Sequence, residues 1–185
     1  MRQADAPHCA LAPFAEDDFD RLIGWIASAE AMRAWTADAF AYPLTRAQLR
    51  RHVRESAESG WRRIYKAVDG ESGEAFGHIE LGAIDARNRS LRLARVLVDP
   101  ARRGRGLGEA MVRAALAVAF GEMGMHRVEL GVFDFNAGAI ACYARAGFRR
   151  DGVRRDSLAV PGGYWSEVIM SILAPEWAAL PPAGG

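Results

Sequence analysis

Apolar positions along this chain change period several times, and each change marks an element. A short strand is expected near residues 9–14, followed by a helix whose stripe is Phe19, Leu22, Ile23 and Ile26, with Asp17 at its cap. Between Trp25 and Tyr42 the aromatic residues Trp25, Trp35, Phe40 and Tyr42, with Met32, follow no clean period, and the segment reads as irregular. Leu44-Thr45-Arg46-Ala47-Gln48-Leu49 then carries a capping box (Thr45 with Gln48) and a hydrophobic staple (Leu44 with Leu49), opening a helix that runs to about Ser59-Gly60. Residues 61–68 and 76–84 read as strands joined by the turn Asp69-Gly70-Glu71-Ser72-Gly73, and a polar turn over 85–90 leads into a third strand closed by Asp99-Pro100. Helical spacing returns at Leu107, Ala110, Met111, Ala114, Ala115 and Val118. Alternation follows at Val128, Leu130 and Val132, and then a short helix carries Ala139, Ile140 and Tyr143. Two strands separated by Pro161-Gly162-Gly163 end the pattern. The element order is β-α-α-β-β-β-α-β-α-β-β.

At 185 residues and 50% apolar content, one domain with a sizeable core over 1–185 is expected, with the Pro- and Gly-rich tail from about 178 to 185 frayed. A net charge of +1 argues against general nucleic-acid binding, which needs a basic excess gathered on one face. Cys9 and Cys142 have neither the number nor the spacing of a disulfide framework or a metal site, and Cys142 reads as a buried thiol. No apolar run is long enough to span a bilayer and residues 1–7 lack a signal-peptide core, so a cytoplasmic protein with no membrane partner is expected.

The candidate chemistry begins at Arg102-Arg103-Gly104-Arg105-Gly106-Leu107-Gly108, between the strand ending Val96-Leu97-Val98 and the helix that follows. Strand, basic glycine-rich turn and helix is a recipe for holding phosphates. Glycines let backbone N–H groups approach an anion, the helix N-terminus adds partial positive charge, and arginines supply counter-charge. A P-loop would need Gly-Lys-Ser/Thr where this chain has Gly108-Glu109-Ala110. A dinucleotide fingerprint would place the third glycine one residue later. Those mismatches disfavour a doubly wound nucleotide-binding protein.

The turn resembles instead the pyrophosphate loop of the GCN5-related N-acetyltransferases, Gln/Arg-x-x-Gly-x-Gly/Ala, and Asn136, Ala139, Tyr143, Gly147 and Phe148 resemble that family's second motif, Asn-x-x-Ala-x-x-x-Tyr-x-x-x-Gly-Phe. The resemblance covers residues 75–173 well and the N-terminal part loosely. It implies the acyl-CoA N-acyltransferase fold, an α/β architecture with a mixed central sheet flanked by helices on both faces. It also implies acetyl-coenzyme A as co-substrate, direct transfer of its acetyl group to a primary amine, and no metal.

By the same resemblance the cofactor is held by Val96, Leu97 and Val98, by the turn Arg103, Gly104, Arg105, Gly106, Leu107, Gly108 and Glu109, and by Asn136 and Tyr143. Arg102 and Arg105 are open between phosphate and solvent, and Asn136 between a helix cap alone and a cap that also serves pantetheine. An alkylammonium of ordinary pKa near 10.4 needs a base. Glu80, in the apolar strand segment Gly77-His78-Ile79-Glu80-Leu81, is the candidate with an expected raised pKa, against the alternative of a solvent-facing strand residue. His78, on the same strand face, is a weaker alternative. Tyr143 is the candidate acid for the departing thiolate. Residues 25–42 fall where relatives build the acceptor wall, with Trp61 and Tyr164 as possible additions, and Glu30, Asp38 and Glu167 as possible attractors of a cationic acceptor. The phrase Tyr42-Pro43-Leu44-Thr45 and the closing strand are similar to the branch of ribosomal-protein N-terminal and small-amine acetyltransferases. Peptide N-terminus, polyamine and other small amines stay open as acceptors, and relatives suggest a homodimer. The rival reading is a non-catalytic acyl-coenzyme A sensor that keeps the cofactor loop.

Overall fold

A computed structural model describes residues 9–181, so the calls on residues 1–7 and on 182–185 fall outside it. In chain order the elements are β1 (Cys9–Pro13), α1 (Phe19–Gly24), α2 (Ala29–Thr36), α3 (Arg46–Ser59), β2 (Arg63–Asp69), β3 (Ala75–Asp85), β4 (Ser90–Val98), α4 (Leu107–Ala117), β5 (Arg127–Phe133), α5 (Ala137–Arg145), β6 (Arg149–Val160), β7 (Gly163–Leu173) and α6 (Ala174–Ala178). The strands form one sheet in the order β1-β2-β3-β4-β5-β7-β6, antiparallel except for the parallel pair β4–β5. This is the expected mixed sheet with helices on both faces.

Neighbouring residues on the strands pack into different apolar clusters. Val96 and Val98 join the cluster under α4, with Met111, Ala115 and Leu116, while Leu97 joins the cluster of Phe19, Leu22, Met32 and Leu49 under α1, α2 and α3. Alternating side chains point to opposite faces, so α4 covers one face and α1–α3 the other. Glu80 and His78 alternate with the α4-side residues Ile79 and Leu81, which places both on the α1–α3 face.

Four local expectations change. The segment read as irregular contains α2, capped by Ser28, whose Oγ accepts from the Ala31 N–H at 3.1 Å. Asp17 is not the cap of α1; the neighbouring Asp18 is buried and takes Lys66 at 3.0 Å and Arg21 at 3.1 Å. Half of the capping box forms. Thr45 accepts from the Gln48 N–H at 3.3 Å, but the Gln48 side chain turns away to bond the backbone of Ala41 and Pro43. The tail holds its place beyond 178: Leu180 packs against the core and the Pro181 carbonyl accepts from Arg113 at 2.6 Å. Among the described residues no helix is long and apolar enough to cross a membrane.

The sheet is split where the site lies. β4 and β5 stay paired only from Ser90–Arg127 to Leu93–Leu130, although β4 continues to Val98 and β5 to Phe133. Against β3, β4 carries an extra residue between the pairs Glu80–Ala94 and His78–Leu97, and Arg95 in that bulge has φ 49°. A bulge bends its strand and re-aims side chains. Here it turns the end of β4 away from β5, leaving its edge unpaired on that side.

Candidate active site

Two cavities open from this split. One, of about 590 Å³, is lined by Val96, Leu97 and Val98 of β4, by the basic turn, by the start of α4, and by Asn136, Cys142 and Tyr143. The other, of about 400 Å³, lies between α2, Trp61, Arg62, β4 and β5. Ala34, Trp35, Val96, Asn136, Ala139 and Tyr143 line both, so these residues mark where the cavities meet.

The larger cavity fits a phosphorylated, amide-bearing cofactor. Gly104 and Gly106 have φ of 77° and 76°, a left-handed backbone that side-chain-bearing residues adopt only at a cost. That pair of turns delivers the chain into α4, whose cap Gly106 offers no side-chain acceptor. The first internal bond is from Ala110 N–H to the Gly106 carbonyl, so the N–H groups of Leu107, Gly108 and Glu109 precede the helix ladder. These donors, with the positive end of the helix, suit a pyrophosphate. The unpaired edge at Val96–Val98 suits an extended chain of amides. Every residue expected at the cofactor lines this cavity except Arg105, which is exposed and outside it. Arg102 also lines it, tied to Glu74.

Asn136 and Tyr143 reach the junction through α5. Asn136 Oδ1 accepts from the Ala139 N–H at 3.2 Å, which caps the helix and leaves the amide nitrogen free. The helix ends with Phe148 N–H bonded to the Tyr143 carbonyl and Gly147 N–H to the Ala144 carbonyl, a Schellman ending that packs Phe148 edge-on against Tyr143. Tyr143 is 7% exposed, and burial pushes its phenol above the ordinary tyrosine range, so it stays protonated. Asn136→Ala is expected to cost about 1 kcal/mol in chemical denaturation, whereas Asn136→Ser restores the cap. A rise in KM for acetyl-coenzyme A that persists in the serine variant separates a cofactor role from the cap.

Glu80 requires a correction. It is 1% exposed, and its carboxylate is surrounded by charge rather than by apolar groups. Its Oε1 lies 2.8 Å from His52 Nε2, and its Oε2 lies 2.6 Å from Arg95 and 3.5 Å from Arg62. Arg62 donates to His52 Nδ1 at 2.8 Å, so Nε2 carries the proton that His52 gives to Glu80. Burial alone would raise the carboxyl. The His52 hydrogen bond and the charges of His78 and Arg95 outweigh it and hold the pKa at about 2. The expected raised value is therefore reversed, and Glu80 is not among the residues lining the smaller cavity. Burial pushes His78 below its ordinary value, with its Nδ1 3.0 Å from the Arg95 carbonyl.

A carboxyl lowered on folding stabilises the protein above its unfolded pKa, near 4.5, and that stability is lost as pH falls toward 2. About 3 kcal/mol is at stake. Equilibrium unfolding stability across this window should fall less steeply in Glu80→Gln, which starts lower, than in the wild type, where Glu80 adds to the loss from the other lowered carboxyls such as Asp69, Asp85 and Asp151.

Of the expected acceptor residues, Trp35, Trp61 and Glu167 line the smaller cavity, whereas Trp25, Phe40, Tyr42, Tyr164, Glu30 and Asp38 do not. Arg62, Arg92 and Arg95 also line it and escaped sequence reading. Their only sequence signal is arginine within strand patterns, which does not distinguish a pocket from a solvated face.

A split parallel pair, a glycine-rich turn at a helix start and a tyrosine at the cavity junction are features of the acyl-CoA N-acyltransferase fold. The chain belongs to the acetyltransferase (GNAT) family, whose family model matches residues 29–148. It is 32% identical over 79 residues to YjcK of Bacillus subtilis (strain 168), provisionally named an N-acetyltransferase, covering 43% of this chain and 44% of that protein. It is 30% identical over 130 residues to YdaF of the same organism, provisionally named a ribosomal N-acetyltransferase, covering 67% of this chain and 70% of that protein. The spermidine N-acetyltransferase of Vibrio cholerae, solved with coenzyme A and spermine, superimposes with a TM-score of 0.81 at 20% identity, over 92% of this chain and 98% of that one.

Proposed function

We propose that this protein transfers the acetyl group of acetyl-coenzyme A directly to the primary amine of a small molecule or peptide. The meeting of the two cavities at Tyr143 and Asn136 carries this reading, because it lets donor and acceptor approach without a covalent enzyme intermediate. Acetyl-coenzyme A supplies an activated thioester. The N–H groups at the start of α4 hold its pyrophosphate, and the free edge of β4 aligns its pantetheine amides.

Proton movement follows from the groups present. Tyr143, kept neutral by burial, donates a hydrogen bond that stabilises the departing thiolate and relays to it the proton released by the attacking nitrogen, so that coenzyme A leaves as the thiol and the tyrosine ends protonated. The acceptor enters a cavity lined by the guanidinium groups of Arg62, Arg92 and Arg95, whose positive field disfavours the ammonium form, and the proton it sheds passes to solvent water. Glu80 positions Arg62, Arg95 and His52 rather than taking the proton itself.

Thiol release from acetyl-coenzyme A in the presence of a panel of amines tests the function. Turnover supports it. Tight cofactor binding by calorimetry with no turnover of any amine favours the acyl-coenzyme A sensor.

A further inference from the structure

The charge lining the smaller cavity is opposite to what a polycation needs. Arg62, Arg92 and Arg95 face Glu167, the only lining carboxylate among the described residues. Both Glu167 oxygens are already taken, Oε1 by Arg92 at 2.6 Å and Oε2 by Arg154 at 3.1 Å. Beneath the cavity, Glu80 is shared between Arg62 and Arg95, so one negative charge answers two positive ones. Asp38, once a candidate for attracting a cation, is 71% exposed and 3.8 Å from Arg33, and Glu30 is exposed on α2; neither lines the cavity.

Two aromatic rings that line the cavity, Trp61 and Phe133, each have a face already engaged. The Arg62 guanidinium lies 4.1 Å from the Trp61 ring centroid, and Arg95 lies 5.5 Å from that of Phe40. Phe133 stacks on Phe135 and meets the edge of Trp165.

Building on the proposed acetyl transfer, we infer that the acceptor is a small amine that also carries an anionic group, a carboxylate or a phosphate, held by the Arg62–Arg95 pair with Arg92 nearby. Each guanidinium has five N–H donors in a planar fork, more than its protein partners use here, and that fork matches either anion. The cavity of about 400 Å³ suits an acceptor the size of an amino acid, a dipeptide or an amino-phosphate. Glu80 and His52 hold the two arginines from β3 and α3, so the anion site is built before the acceptor arrives. A polyamine would bring two or more positive charges to a cavity with no free carboxylate among its described residues.

The test uses the whole protein, saturating acetyl-coenzyme A and matched acceptors. These are amino acids and dipeptides against their C-terminal amides, an amino-phosphate against its amino alcohol, and spermidine. A charge-assisted hydrogen bond predicts kcat/KM about tenfold or more higher for an anionic member than for its neutral partner, with spermidine lowest. The carboxylate and phosphate arms identify which anion is read. Arg95→Gln, checked for folding by circular dichroism, should bring the paired acceptors together, the anionic member losing about tenfold more than its neutral partner. If that variant does not fold, the wild-type ranking decides. Equal rates within pairs or faster spermidine turnover overturns the inference and leaves acetyl transfer standing, whereas silence of all acceptors with acetyl-coenzyme A bound overturns both the inference and the proposed transfer. Failure to bind acetyl-coenzyme A overturns the proposed function itself.

Discussion

Tyr143→Phe lowers kcat about a hundredfold or more and leaves the KM for acetyl-coenzyme A within about twofold, as expected of a group whose hydroxyl acts on the leaving thiolate. The ring occupies the junction of both cavities, packs against Phe148 and is nearly fully buried. Phenylalanine keeps that packing, so thermal unfolding should barely move. Because burial drives the phenol above its usual range, the hydroxyl keeps its proton throughout the working pH range. The pH–rate profile of the wild type therefore should show no loss of activity from tyrosine ionisation near 10. Steady-state kinetics at saturating acceptor decides the matter, and unchanged kcat in the phenylalanine enzyme would strip Tyr143 of its role.

Gly106→Asp should raise the dissociation constant for acetyl-coenzyme A about a hundredfold, the equivalent of about 3 kcal/mol. Two effects add. Aspartate tolerates the left-handed backbone at φ 76° less well than glycine, and its carboxylate stands where the pyrophosphate approaches the helix end. Gly106→Ala carries the backbone strain without the charge and should lose less. Calorimetric titration measures both, with thermal unfolding confirming that each variant folds. Unaltered affinity in folded Gly106→Asp would remove the turn from the cofactor site.

The features legible in the sequence were those written in consecutive residues. The basic turn, the cap at Asn136, the Schellman ending at Gly147 and the strand alternation all depend on near neighbours, and they stand in the structure where the spacing puts them. Helix α2 left no clear period because only Met32 and Thr36 of it are buried. Glu80 shows the deeper limit. Its sequence neighbours are apolar and suggest a raised pKa. Besides His78 on its own strand, the groups that lower it, His52 and Arg95, arrive from α3 and β4, through pairings that one-dimensional spacing does not carry. The arginine lining of the acceptor cavity was invisible for the same reason.

Gly131 on β5 lacks the side chain that would occupy the space between Arg92 and Glu167; a Cβ there would collide with both. That gap lets an ion pair cross over β5 and tie β4 to β7. Arg92 and Arg95 thus sit on a strand, Glu80 and Glu167 on two others, and none on a loop free to reshape around a guest. Such a pocket selects its acceptor by rejection rather than adaptation, and a descendant with a new preference would have to rebuild the sheet's crossing contacts first.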